Sequence, residues 1–211
     1  MSAEYCVPYQ DAETEFTEKR SRFIGRVWRV GDEAEARRRI DETRKQYHDA
    51  RHHCWCYVLN DGITRYSDDG EPQGTAGQPI LNVFQRRNVT NVCCVVTRYF
   101  GGILLGAGGL TRAYSKSAKD TLDAAGIARV TRRTLCELEA PYALLEQIQR
   151  EIRRSGGRVS DADYGASVTL RASFASGTVD AFAERVRELS GGSVAVTPVG
   201  EEDSPGERLD L

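Results

Sequence analysis

The order of apolar and polar residues divides this chain into segments of two periods, about 2 for strands and about 3.6 for helices. Residues 12–30 read as a β-hairpin. It has a strand over Glu13–Phe16, a polar turn at Glu18–Ser21, and a strand over Arg22–Val30 with Ile24, Trp28 and Val30 buried and charge on the other face. Asp32 and Glu35 have capping-box spacing, and Ala36, Ile40, Thr43 and Tyr47 recur at helical period, which predicts a helix from Glu33 to about Tyr47. Cys54–Leu59 is a short apolar run, and the Asn60-Asp61-Gly62 turn leads into a second strand at Ile63–Tyr66. Thr75 with Gln78 fits another capping box, ahead of a helix that buries Ile80, Leu81 and Phe84 and reaches about Arg87. Val92–Thr97 is almost wholly apolar, as in a strand covered on both faces. After Gly109, Leu110, Tyr114, Ala118, Leu122 and Ala125 trace one helix face that Gly126 ends.

Beyond Val130 the pattern becomes shorter and more regular. A strand at Arg132–Glu139 precedes a helix at Pro141–Arg154, two strands at Arg158–Tyr164 and Ala166–Phe174, a helix carrying Val179, Phe182, Val186 and Leu189, and a strand at Ser193–Val199. This βαββαβ order is that of a ferredoxin-like domain. The expected class is α+β, with one domain over 1–130 and a second over 131–199. Residues 200–211 are acidic, lack either period, and are expected to be disordered.

Composition narrows the class further. A chain of 211 residues, 40% hydrophobic and 28% charged, suits one large or two small domains with their own cores. No stretch nears the roughly 20 apolar residues of a spanning helix, and Met1–Gln10 has neither a basic start nor an apolar run, so a cytoplasmic protein without membrane contact is expected. The six cysteines lie mostly in apolar runs and read as reduced, buried small hydrophobes. Residues 1–134 carry 21 basic against 17 acidic side chains, and residues 135–211 carry 8 against 14. The first part is the one suited to an anionic partner.

Candidate chemistry concentrates between Asp68 and Ser115. A strand, the glycine loop Gly101-Gly102 to Gly106, Gly108 and Gly109, and then a helix can offer backbone N–H groups to a phosphate, with Arg98 and Arg112 adding charge. The loop is neither a dinucleotide fingerprint nor a P-loop, and no cofactor is expected. The Tyr99-Phe100 pair beside these glycines suits stacking against a base as well as a phosphate contact; the alternative is core packing, which fits Phe100 better than Tyr99. Asp68, Asp69 and Glu71 place three carboxylates within four residues, able to hold a hard cation or to act as an acid/base pair, or simply to form a solvated turn. His48, His52 and His53 precede Cys54 and Cys56, but no second ligand pair stands at zinc spacing, so no metal site is expected. Ser115 and Thr97 qualify as nucleophiles only if His52 reaches them.

These segments resemble the Impact family, in its two-domain bacterial YigZ-type branch. The resemblance rests on Tyr47-His48-Asp49-Ala50 with His52 and Cys54, on Asp68 through Gly74, Thr75 and Gly77, and on Thr97 through Arg112 to Ser115. It covers about residues 15–126, and the βαββαβ unit looks like that branch's second domain. It implies a first domain similar to domain 2 of ribosomal protein S5 and a second similar to the carboxy-terminal region of elongation factor G. It also implies a link to translation, without a settled activity for bacterial members. Two readings follow. One is a translation-associated regulatory or RNA-binding protein with an RNA or ribosome-associated partner. The other is a metal-assisted hydrolase or phosphoryl-transfer enzyme with a phosphate-containing ligand.

Overall fold

A computed structural model describes residues 5–209. Residues 131–204 form one unit, and 5–130 with 205–209 form the other. In chain order the elements are β1 Cys6–Pro8, β2 Ala12–Glu18, β3 Ser21–Arg29, α1 Glu33–Gln46, β4 His52–Val58, β5 Thr64–Ser67, α2 Gly77–Arg86, β6 Val92–Tyr99, α3 Ala107–Ala125 and β7 Ile127–Ala140, continuing with α4 Tyr142–Arg154, β8 Arg158–Tyr164, β9 Val168–Ala175, α5 Val179–Leu189 and β10 Thr197–Leu209. The fold is α+β. No helix among the described residues is long and apolar enough to cross a membrane.

The first unit is built on an antiparallel sheet in the order β2-β3-β6-β4-β5. The apolar run Val92–Thr97 lies in the central strand β6 and is wholly buried, as a strand covered on both faces must be. One face packs Phe23, Val27, Cys54, Cys56, Cys94 and Val96 against α2 and α3, through Ile80, Phe84, Tyr114, Ala118 and Leu122. The other packs Trp28, Val30, Tyr57, Cys93 and Val95 against Ala36 and Ile40 of α1. The charged outer face expected for β3 is therefore replaced by core, because β3 lies inside the sheet and Phe23 and Val27 meet the helices behind it. α1 starts where its spacing predicts: Asp32 accepts from Glu35 N at 2.8 Å, while the return bond of Glu35 goes to Gly31 N, one residue before the cap, at 2.9 Å.

In the second unit β7 pairs with β9 and β9 with β8, all antiparallel, while β10 also pairs with β7. Leu138, Leu170 and Phe174 of the sheet pack against Ile148 and Ile152 of α4 and Phe182 and Val186 of α5. The last strand begins at Thr197 rather than Ser193 and runs to Leu209. The expectation of a disordered tail over 200–211 is thus corrected for 200–209, residues 210 and 211 lying outside the described residues. Backbone pairing with β7 holds this mostly exposed segment, together with an Arg132–Glu201 ion pair at 2.8 Å. Neither leaves an apolar period in the sequence.

Candidate functional site

Asp68 to Ser115 covers the turn after β5, α2, β6, the glycine loop and the first half of α3, all in the first unit. Asp68 caps α2 from outside the helix. Its carboxylate accepts from Gly74 N at 2.8 Å, Ala76 N at 3.0 Å and Gly77 N at 2.8 Å, occupying donors that a helix start leaves open. The Thr75–Gln78 capping box is therefore not formed: α2 begins at Gly77 without a side-chain cap from its flanking residue, and Thr75 Oγ1 donates to the Pro72 carbonyl at 2.6 Å. A Cβ at Gly77 would lie 2.7 Å from the Ser67 backbone, so the helix start and the end of β5 touch through a glycine.

Asp69 accepts from Arg44 Nη2 and from His53 N, each at 2.7 Å. His52 Nδ1 lies 2.9 Å from the Asp69 carbonyl, which can only accept, so the ring carries its proton on that nitrogen. Glu71 is nearly buried and takes Arg98 Nη1 at 2.7 Å and the Tyr114 hydroxyl at 2.8 Å on the same oxygen. The three carboxylates thus diverge into a helix cap, a surface ion pair and a buried ion pair. Among the described residues, no three His, Cys, Asp or Glu side chains come together as metal ligands would.

Arg98 differs from its expected role. It is 5% exposed, and its guanidinium donates to Glu71 and to Ser21 Oγ at 3.2 Å, so most of its charge is met within the protein although it still lines the cleft beside the glycine loop. The reason is its place in the central strand, where an unpaired cation would be costly. Tyr99 donates its hydroxyl to Asp49 at 2.6 Å, and burial followed by that bond pushes its pKa up to about 12. Phe100, expected in the core, is instead 45% exposed and lies beside Arg98, whose Cζ is 5.5 Å from the ring centroid. The order of the aromatic pair is reversed because β6 ends at Tyr99 and Phe100 starts the loop.

Within the loop, Gly102 and Gly106 have φ of +85° and +71°, in the left-handed region where glycine is favoured. Gly101 abuts the β2–β3 turn so closely that a Cβ would sit 2.0 Å from the Arg20 carbonyl carbon and oxygen. Gly108 and Gly109 belong to the first turn of α3, which has no side-chain cap and no acidic residue there. Phe100, Leu104 and Leu105 meet this helix start over a cleft of about 330 Å³ that His52, Glu71 and Arg98 also line. Leu104 is 82% exposed. Arg112 is exposed and lines a neighbouring cleft. Ser115 donates to the Pro79 carbonyl at 3.5 Å and is not placed against His52 by any hydrogen bond among the described residues. Burial pushes the Cys54, Cys56, Cys93 and Cys94 thiols well up, which opposes thiolate chemistry. The apolar rim at Leu104 and Leu105 was missed from sequence, where two leucines between glycines carry no period.

The Impact N-terminal domain matches residues 19–122, and a domain of unknown function, DUF1949, matches residues 138–193. The chain is 39% identical over 194 residues to the IMPACT family member YvyE of Bacillus subtilis, a match covering 91% of this chain and 89% of that protein. It is 34% identical to the IMPACT family member YigZ of Escherichia coli, over 87% of this chain and 92% of the other. A solved structure described as that of a hypothetical protein matches with a TM-score of 0.61 and 31% identity, covering 94% of this chain and 98% of that one.

Proposed function

Because this chain belongs to the IMPACT family, we propose that it acts as a cytoplasmic, translation-associated regulatory protein that binds single-stranded RNA at the glycine-loop cleft. One observation carries the reading. Phe100 stands exposed beside the uncapped start of α3, so an aromatic face for a base adjoins free backbone donors for a phosphate. Leu104 and Leu105 add an apolar rim against which such a base could pack. The strand order β10-β7-β9-β8 supports a ferredoxin-like second domain, similar to the carboxy-terminal region of elongation factor G. The first unit is read as an S5 domain 2-like fold. The enzyme reading draws less support, since Asp68, Asp69 and Glu71 are each engaged in separate structural contacts.

The test is fluorescence anisotropy of a labelled uridine hexamer with the full chain at low salt. Binding is expected, weakened about tenfold by Phe100→Ala and retained by Phe100→Trp, because stacking on one aromatic ring contributes about 1–3 kcal/mol. Absence of binding by the unaltered protein, or equal affinity for Phe100→Ala, would overturn the reading.

A further inference from the structure

A second cleft, of about 260 Å³, adjoins the first: Leu105 lines both. Its wall carries three cations, Lys19, Arg112 and Lys116, with Phe16 beneath and Glu18 the one carboxylate. Lys116 pairs with Asp120 along its own helix and lies 4.9 Å from the Phe16 ring centroid. Among the described residues, Lys19 and Arg112 take part in no ion pair, a state they share with other exposed cations of the unit, so it is their place on one cleft wall that sets them apart.

The backbone of the β2–β3 turn is the less ordinary feature. Glu18 pairs with Ser21, so the loop is only Lys19-Arg20, and both residues have positive φ, +45° and +64°. A two-residue hairpin with both central residues left-handed is the geometry that asparagine and glycine favour. A residue with a Cβ costs about 1–2 kcal/mol in that conformation. The penalty follows from the Cβ whatever the charge, and the chain places two long cations in the turn. Gly101 of the glycine loop supports the turn at a distance no side chain would allow.

We propose that this cleft is a second phosphate subsite, so that the ligand is a strand of at least two phosphates passing Leu105 rather than a mononucleotide. The inference rests on the RNA reading above. Lys19 and Arg112 would meet the phosphate next to the one at the start of α3, and Lys116 would extend the charge along the helix.

The experiment compares the full chain with the Lys19→Asn/Arg20→Gly double variant and with Arg112→Ala. The double variant supplies the residues the turn prefers, so its urea midpoint is expected to rise, which removes misfolding as an explanation. Anisotropy with a labelled uridine hexamer is expected to show about tenfold weaker binding at low salt and a salt slope shallower by about 0.7 for each phosphate no longer neutralised. Binding of uridine monophosphate, which needs only the Phe100 cleft, is expected to stay unchanged and to be weaker than that of the hexamer. If the unaltered protein binds the hexamer but both variants keep its affinity and salt slope, the second subsite is overturned while the RNA reading stands. Equal affinity of the unaltered protein for hexamer and monophosphate also overturns it. If the unaltered protein binds no hexamer, the RNA reading fails and takes the subsite with it.

Discussion

His53 is 6% exposed, its Nδ1 lies 3.0 Å from Thr97 Oγ1, and burial lowers its pKa from the ordinary value of 6.5. Nearby Asp69 opposes that shift, while Arg44 and His52 reinforce it. The unfolded chain therefore takes up a proton near pH 6.5 that the folded chain still refuses. The stabilisation is complete above that pH and is lost progressively as the pH falls below it. Urea midpoints are expected to drop between about pH 7.5 and about pH 5.5, and His53→Gln is expected to flatten the drop; an identical slope in the variant would assign it to other groups. The same burial logic explains the fate of Arg98. In a central strand its charge is held by Glu71, and the exposed chemistry passes to its neighbour Phe100.

At the scale of elements, the start of α2 depends on a residue nine positions away. Three backbone N–H groups converge on Asp68, so Asp68→Ala is expected to lower stability by about 1–2 kcal/mol, and Asp68→Asn, which keeps an acceptor, by less. Urea unfolding of the two variants checks the order. A capping box was legible at α1 because both partners lie within four residues and face the same turn. At α2 the matching pattern, Thr75 with Gln78, was present but unused. A carboxylate delivered by the preceding turn outcompeted it, and local spacing holds no record of that turn's path.

At the scale of the whole molecule, Leu209 packs against the first unit's core and Arg208 Nη2 donates to the Asp123 carbonyl at 3.1 Å. Truncation after Val199 is accordingly expected to lower the urea midpoint of the full chain. An unchanged midpoint would mean that β10 adds nothing to stability. An acidic composition made this segment read as disordered. Pairing with β7, with Leu209 as an apolar anchor against the core, orders it although the segment has no apolar period.

The sequence by itself determined the alternation of elements, the central strand at Val92–Thr97 and the βαββαβ order after Val130, and it singled out the Asp68–Ser115 stretch as the place to look for a site. These rest on periodicity and glycine placement, which are local properties. Only the tertiary structure decided which face each charge occupies. It buried Arg98 with Glu71, separated the three carboxylates, exposed Phe100 and Leu104, and set the Lys19-Arg20 turn against Gly101. The physical reason is that desolvation and pairing depend on neighbours distant in sequence, and a side chain's chemistry follows those neighbours more than its own position in the chain.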